Sequence, residues 1–241
     1  MTLDTAPHAD PRPARLAALR QHMAAQGWQA VLVPSSDPHL SEYLPERWQG
    51  RQWLSGFTGS AGTLIVAADQ AALFADSRYW EQGDAELAGS GIALVRMQGS
   101  PVGAYAQWLA ALPGDAAARV LALDGAVQGL AATTALRQAL SPHAWTLHTG
   151  TDPLAAIWPD RPGLPTPPVF AHQPPHAATP RRDKLAMVRQ RMQAQGASHH
   201  WVATLDDLAW LLNLRGADVD YNPVFLGHAL VDASSVQLFV A

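Results

Sequence analysis

The sequence predicts a mixed α/β fold, a mixed sheet with flanking helices, followed by a second, incomplete copy of the same unit. Three observations carry that expectation. Short apolar runs alternate with segments of helical periodicity from Arg15 to Leu140. A thirteen-residue stretch near the start recurs after a constant offset of 169 residues. A proline-rich interval, residues 153–180, separates the two occurrences.

Residues 1–14 are expected to be disordered, because the opening dozen are rich in Pro and Asp. Leu16, Leu19 and Met23 then recur at helical spacing over Arg15–Gln26, and Gly27 stands where a C-cap belongs. Ala30–Val33, closed by Pro34, reads as a buried strand. A short helix is expected over Asp37–Tyr43, followed by a loop punctuated by Pro45 and Gly50. Thr63–Val66 and Ala71–Phe74 read as a hairpin around Ala68, Asp69 and Gln70. Ser77–Leu87 reads as helix, Ile92–Met97 as strand and Val102–Leu112 as helix. A strand at Val120–Leu123 and a helix at Leu130–Leu140 follow. The first domain is therefore expected over residues 15–152, with residues 153–180 as a semi-rigid linker that builds neither helix nor central strand.

After the linker the pattern restarts, in a partial second domain over residues 181–241. Arg15–Gly27 aligns with Lys184–Gly196 at eight identical positions of thirteen. Asp37 and Asp206 keep the same offset, and Trp53-Leu54-Ser55 finds a looser echo in Leu211-Leu212-Asn213. Thr63–Phe74 has a counterpart in Ala229–Phe239. The agreement of residues and of element order points to internal duplication. Ala241 corresponds to the second hairpin strand of the first copy, so the expectation is a fragment, or an edge that something else covers.

Composition narrows the function classes. A net charge of −4 offers no basic footprint for nucleic acid or anionic membranes. No cysteine is present, so disulfides, thiolate metal sites and cysteine nucleophiles are excluded. No signal peptide and no membrane-spanning run are read from the sequence, and a cytoplasmic protein is expected.

The loop Gly56-Phe57-Thr58-Gly59-Ser60-Ala61-Gly62 has neither dinucleotide-binding nor P-loop spacing. Thr58–Gly62 nearly matches a nucleophile elbow, but Thr replaces the first Gly and a strand follows where a helix is needed. Asp76-Ser77-Arg78-Tyr79 follows a strand end, where α/β sites collect. Arg78 can grip a carboxylate there, or Asp76 can cap the next helix with Arg78 in a structural ion pair. Arg47, Trp48, Arg51 and Trp53 form either a contact surface or ordinary packing. The ten histidines show no metal-ligand spacing and read as surface or linker residues. Asp206-Asp207 reads as a helix start.

Three segments together resemble the N-terminal domain of Xaa-Pro aminopeptidases of the long, three-domain type. They are Ser36-Asp37-Pro38-His39-Leu40-Ser41-Glu42-Tyr43, Arg51–Thr63 (RQWLSGFTGSAGT), and Asp76-Ser77-Arg78-Tyr79. Leu212–Gly216 and Asn222–Phe225 are similar to that family's middle domain. The resemblance implies two creatinase-like (ribonuclease H-like) domains ahead of a separate catalytic domain. It implies removal of an N-terminal residue that precedes proline, and a homodimer. It implies two divalent ions, manganese by family habit, held by carboxylates and a histidine of the third domain. No metal ligand or catalytic residue transfers to this chain, which is expected to be inactive alone and to bind no cofactor. Arg47, Trp48, Arg51, Phe57, Asp76, Arg78, Tyr79 and Arg215 are the candidates for substrate access or an interface. The partners expected are peptides beginning Xaa-Pro, with no nucleic acid and no membrane. The alternative reading is a non-enzymatic, peptide- or protein-binding creatinase-like module.

Overall fold

The structure, a computed structural model, describes residues 10–114 and 119–240. It divides into two compact units: the chain up to Asp37 with Trp48–Arg161, and Pro38–Arg47 with the chain from Pro162 onward. The disorder expected over 1–14 lies outside the described residues for 1–9, whereas the first helix already begins at Arg12.

The first unit runs α1 (Arg12–Gln26), β1 (Ala30–Pro34), α2 (Gly50–Ser55), β2 (Thr63–Ala67), β3 (Ala71–Ala75) and α3 (Trp80–Glu86). It continues with β4 (Ala93–Arg96), α4 (Pro101–Ala110), β5 (Arg119–Ala122), α5 (Leu130–Leu140) and β6 (Trp145–His148). Its six strands lie in the order β4-β3-β2-β1-β5-β6. The hairpin β2–β3 and the β1–β2 pair are antiparallel, while β3–β4, β1–β5 and β5–β6 are parallel.

Both sheet faces are covered, which is why β1, β2 and β3 read as continuous apolar runs rather than alternating ones. Val31, Val33, Leu64, Val66 and Leu73 point into one layer with Leu16, Leu19 and Met23 of α1 and Leu54 of α2. Their alternates Leu32, Ile65 and Phe74 point into the other, with Ala106 and Leu109 of α4 and Leu136 and Leu140 of α5. Gly27, at φ 71°, ends α1, and its N–H returns to Ala24 as the C-cap pattern requires.

Three departures from the sequence reading have physical causes. Residues 37–43 form turns rather than a helix, with Leu40 in the left-handed region at φ 57°. A left-handed residue at the middle of the segment interrupts any right-handed helix there. Trp145–His148 forms a strand that its mixed polar pattern concealed. The interval 153–180 does not behave uniformly: Leu154 and Trp158 are buried in the first core, Trp158 stacking on Trp53 at 4.7 Å. Prolines keep helix out of the interval, but neither packing nor the two-residue edge strand Phe170–Ala171.

The second unit contains β7 (Phe170–Ala171), α6 (Arg181–Ala194), β8 (His200–Val202), α7 (Leu205–Leu212), β9 (Leu214–Arg215), β10 (Gly227–Val231) and β11 (Val236–Val240). Strands β7 and β9 pair with each other, and the main sheet has the order β11-β10-β8, all antiparallel. That is the β3-β2-β1 arrangement again. The register repeats too: Leu32 faces Ile65, which faces Ala72, as Trp201 faces Leu230, which faces Gln237. Both intervening helices end on a left-handed residue, Gly56 in α2 and Asn213 in α7. Aligning those caps pairs Trp53 with Trp210, one residue from the echo read in the sequence.

Candidate functional site

The candidate residues of the first unit converge on the loop from Gly56 to Gly62. Arg51, on α2, is only 5% exposed and points beneath that loop. Its guanidinium donates to Ser35 Oγ at 2.7 Å, to the Phe57 carbonyl at 2.9 Å and to the Gly59 carbonyl at 2.5 Å. It also lies 4.9 Å from the centre of the Phe57 ring. Burial pulls the guanidinium down to about 10, opposed by the nearby Glu86 charge, so it stays protonated at neutral pH. Phe57 is fully buried and packs edge-on against Tyr79 at 5.9 Å.

For Arg51 the packing alternative is the one observed, and Phe57 is buried beside it. An arginine with three acceptors in the interior holds the loop from below. Gly59 has no room for a side chain, because a Cβ there would meet Phe57 and come within 2.7 Å of Tyr79.

The outer side of the same loop is polar. Ser60 Oγ lies 2.7 Å from the Tyr79 hydroxyl. A serine nucleophile needs a histidine or comparable base as its partner, and here the partner is a phenol. Thr58 donates to Glu86 through N–H at 2.8 Å and Oγ1 at 2.6 Å, and Gln82 donates to Glu86 as well. Partial burial works against ionisation of Glu86, but these hydrogen bonds outweigh it and hold its carboxyl below the usual range.

Beside them, Asp76 Oδ1 caps the turn Ser77–Tyr79 by accepting the Arg78 N–H at 3.0 Å. Its carboxylate also accepts a two-pronged contact from the Arg78 guanidinium at 2.9 and 2.8 Å, which holds the Asp76 carboxyl below its ordinary value. The Arg78 side chain is 68% exposed and lies 5.1 Å from the Tyr79 ring centre. The cap and the structural ion pair are the arrangement observed. Asp76 caps and pairs, and the pairing presents Arg78 at the surface in a fixed orientation.

Two candidates stand elsewhere in the fold. Arg47 donates to the Pro162 carbonyl at 2.9 Å within the second unit. Arg215, in β9, donates to the Ala209 and Leu214 carbonyls, both at 2.8 Å, and so braces the end of α7. Trp48 lines a cleft with Asp124, Asp152 and Arg161. Those three residues escaped the sequence reading, although Asp124 follows a strand end as Asp76 does.

The residues present do not fit a dinuclear metal centre. Among the described residues no group of three or more His, Cys, Asp or Glu side chains could hold a metal ion together. Among the described residues, too, no helix is long and apolar enough to cross a membrane.

Residues 15–155 match the Creatinase/Prolidase N-terminal domain, and residues 160–241 match a second family model of the same description. The chain belongs to the creatinase/prolidase N-terminal domain family, with two such regions in tandem. Among its relatives are Xaa-Pro aminopeptidase 2 of Mus musculus, 34% identical over 94% of this chain and 33% of the relative, and a probable Xaa-Pro aminopeptidase P of Laccaria bicolor, 36% identical over 94% and 35%. The chain spans about a third of the length of these curated relatives. The crystal structure of X-prolyl aminopeptidase from Caenorhabditis elegans, described as a cytosolic enzyme with a di-nuclear active site, superposes with a TM-score of 0.85. That match has 26% identity and covers 97% of this chain and 39% of the other.

Proposed function

We propose that this chain is the N-terminal region of a metal-dependent Xaa-Pro aminopeptidase, which removes the residue ahead of proline from the N-terminus of peptides. The observation that carries this reading is the continuous similarity to Xaa-Pro aminopeptidases over both units, 94% of the chain. The two divalent ions, manganese in this reading, belong to a catalytic region outside these residues. The two units restrict access so that short peptides reach the metals by their free N-termini, and they contribute to a homodimer. The protein acts in the cytoplasm, a placement supported by the cytosolic enzyme of the same fold.

Within this role the outer face around the Gly56–Gly62 loop is the contact surface. Arg78 carries it, held by Asp76 and Tyr79, while Arg51 and Phe57 keep the loop in shape from inside. The test is peptide hydrolysis by the full-length enzyme bearing Arg78→Ala. A KM raised several-fold with kcat little changed supports an access role, and unchanged kinetics on peptides of every length would remove it.

A further inference from the structure

The carboxyl ends of the parallel neighbours β1 and β5 open at one end of the first sheet. Beyond β1 the chain runs through Pro38–Arg47, which belongs to the second unit, before it enters α2, whose Leu54 packs in the layer with α1. Beyond β5 it enters α5, whose Leu136 and Leu140 pack in the opposite layer. Adjacent parallel strands whose connections leave to opposite faces form a crevice at their carboxyl ends, and open α/β sheets take ligands there.

The structure has a cleft at that point. Pro34 and Ser36 follow β1 into it, Asp124 follows β5, and Asp152 follows β6, with Trp48 and Arg161 completing the wall. The cleft is partly open to solvent, with an interior volume of about 30 Å³, room for at least one water-sized group.

Its charges define what it can hold. Asp152 accepts the Leu154 N–H at 2.9 Å through Oδ1 and pairs with Arg161 through Oδ2. Asp124 accepts the Ala126 N–H at 2.9 Å through Oδ1 and makes no ion pair with any described residue. Two carboxylates against one guanidinium leave the cleft negative, which disfavours an anion. Carboxylate oxygens already engaged by Arg161 and by backbone N–H groups are too few for calcium or magnesium. The indole of Trp48 is a suitable wall for an organic cation. Burial, with the Asp152 charge added, pushes the Asp124 carboxyl up, a cost that a bound cation would relieve.

We infer that this cleft binds a primary ammonium group, as carried by a free amino acid or by the N-terminus of a short peptide, at Asp124 and Asp152 and against Trp48. The readout is binding rather than turnover, so its outcome is separate from that of the peptidase reading. Calorimetric titration of the 241-residue chain with L-alaninamide is expected to show saturable one-to-one binding. N-acetyl-L-alaninamide, which lacks the ammonium, is expected to show none. Asp124→Asn keeps an acceptor for the Ala126 N–H and is expected to weaken L-alaninamide binding at least about tenfold with an unchanged melting temperature. Free L-alanine and L-alanyl-L-alanine then identify the source, the tighter of the two marking an amino acid or a peptide terminus. Absence of saturable heat with L-alaninamide, equal binding of the acetylated compound, or unchanged affinity in a folded Asp124→Asn variant would overturn the inference. The acetylated comparison uses the unaltered chain and holds even if the variant fails to fold.

Discussion

Lys184 Nζ donates to the Trp210 carbonyl at 2.7 Å and lies 4.3 Å from the centre of the same tryptophan's ring. In the first unit Arg15 does the same to Trp53, with a 2.7 Å hydrogen bond to the carbonyl and 4.6 Å to the ring. Arg15 and Lys184 are equivalent positions of the sequence repeat, and Trp53 and Trp210 are equivalent positions before the left-handed caps. The device is a cation from the first helix that closes the C-terminal carbonyls of the second. Carbonyls of a last turn lack the N–H partners that a continuing helix would supply, and a cation suits the negative end of the helix dipole. Its occurrence in both units shows that the duplication preserved an interaction as well as an order of elements.

Lys184 is 4% exposed and also donates to Asn213 Oδ1 at 2.6 Å, so its loss strips Asn213 Oδ1 of that donor and leaves the Trp210 carbonyl with the Asn213 N–H at 3.3 Å. Lys184→Met is expected to destabilise the second unit by about 2 kcal/mol in urea unfolding followed by Trp fluorescence. Lys184→Arg, which keeps the charge and the donors, is expected to lose less than half as much.

Arg51→Met removes all three donors that hold Ser35, Phe57 and Gly59 from beneath the loop. The expected cost is about 3 kcal/mol, since two buried carbonyls lose their partner together. Amide hydrogen exchange is the sensitive readout: Phe57 and Thr58 should exchange much faster while α1 remains protected.

Gly59→Ala tests the packing of the same loop. The new methyl would overlap the Phe57 ring and approach Tyr79, so the loop must shift, at an expected cost of about 1–3 kcal/mol. Gly27→Ala has nothing within 4 Å of its added Cβ and fails only through its positive φ, so it should cost about 1 kcal/mol. Thermal melts of the two variants separate overlap from backbone strain.

His228 stacks on Trp201 at 5.1 Å and lies 4.5 Å from the ring of His39, whose Nδ1 is 2.8 Å from the Ala203 carbonyl. Burial, with the His39 charge added, holds the His228 imidazole below the ordinary histidine range. The folded state therefore takes up this proton at lower pH than the unfolded state. Its contribution is fully present above the unfolded pKa and is lost as pH falls through the folded one. Urea midpoints of the second unit should drop between about pH 7.5 and 5.5, with a shallower drop in His228→Gln.

The first unit was legible where local physics decided the structure. Leu16, Leu19 and Met23 repeat at helical spacing and Gly27 can adopt a positive φ, so α1 and its end could be read directly. The hairpin β2–β3 was equally plain, because both of its faces are buried. Residues 37–43 look helical in sequence, but Leu40 adopts the left-handed region and interrupts any helix there. Arg51 stayed open between surface and packing for a different reason. An arginine in a Gly-rich neighbourhood reads as exposed, and only three-dimensional closure brings three acceptors around it. Asp124 and Asp152 are 28 positions apart, and only the parallel β5–β6 pair brings the chain beyond each strand to one cleft.

The most direct measurement is hydrolysis of an Arg-Pro-Pro peptide by the purified 241-residue chain supplied with Mn²⁺. No release of arginine above the metal-only control is expected, because the proposed reading puts the metal ligands outside these residues, and no group of three or more His, Cys, Asp or Glu that could hold a metal occurs among the described ones. Robust, enzyme-dependent release of arginine would contradict the account.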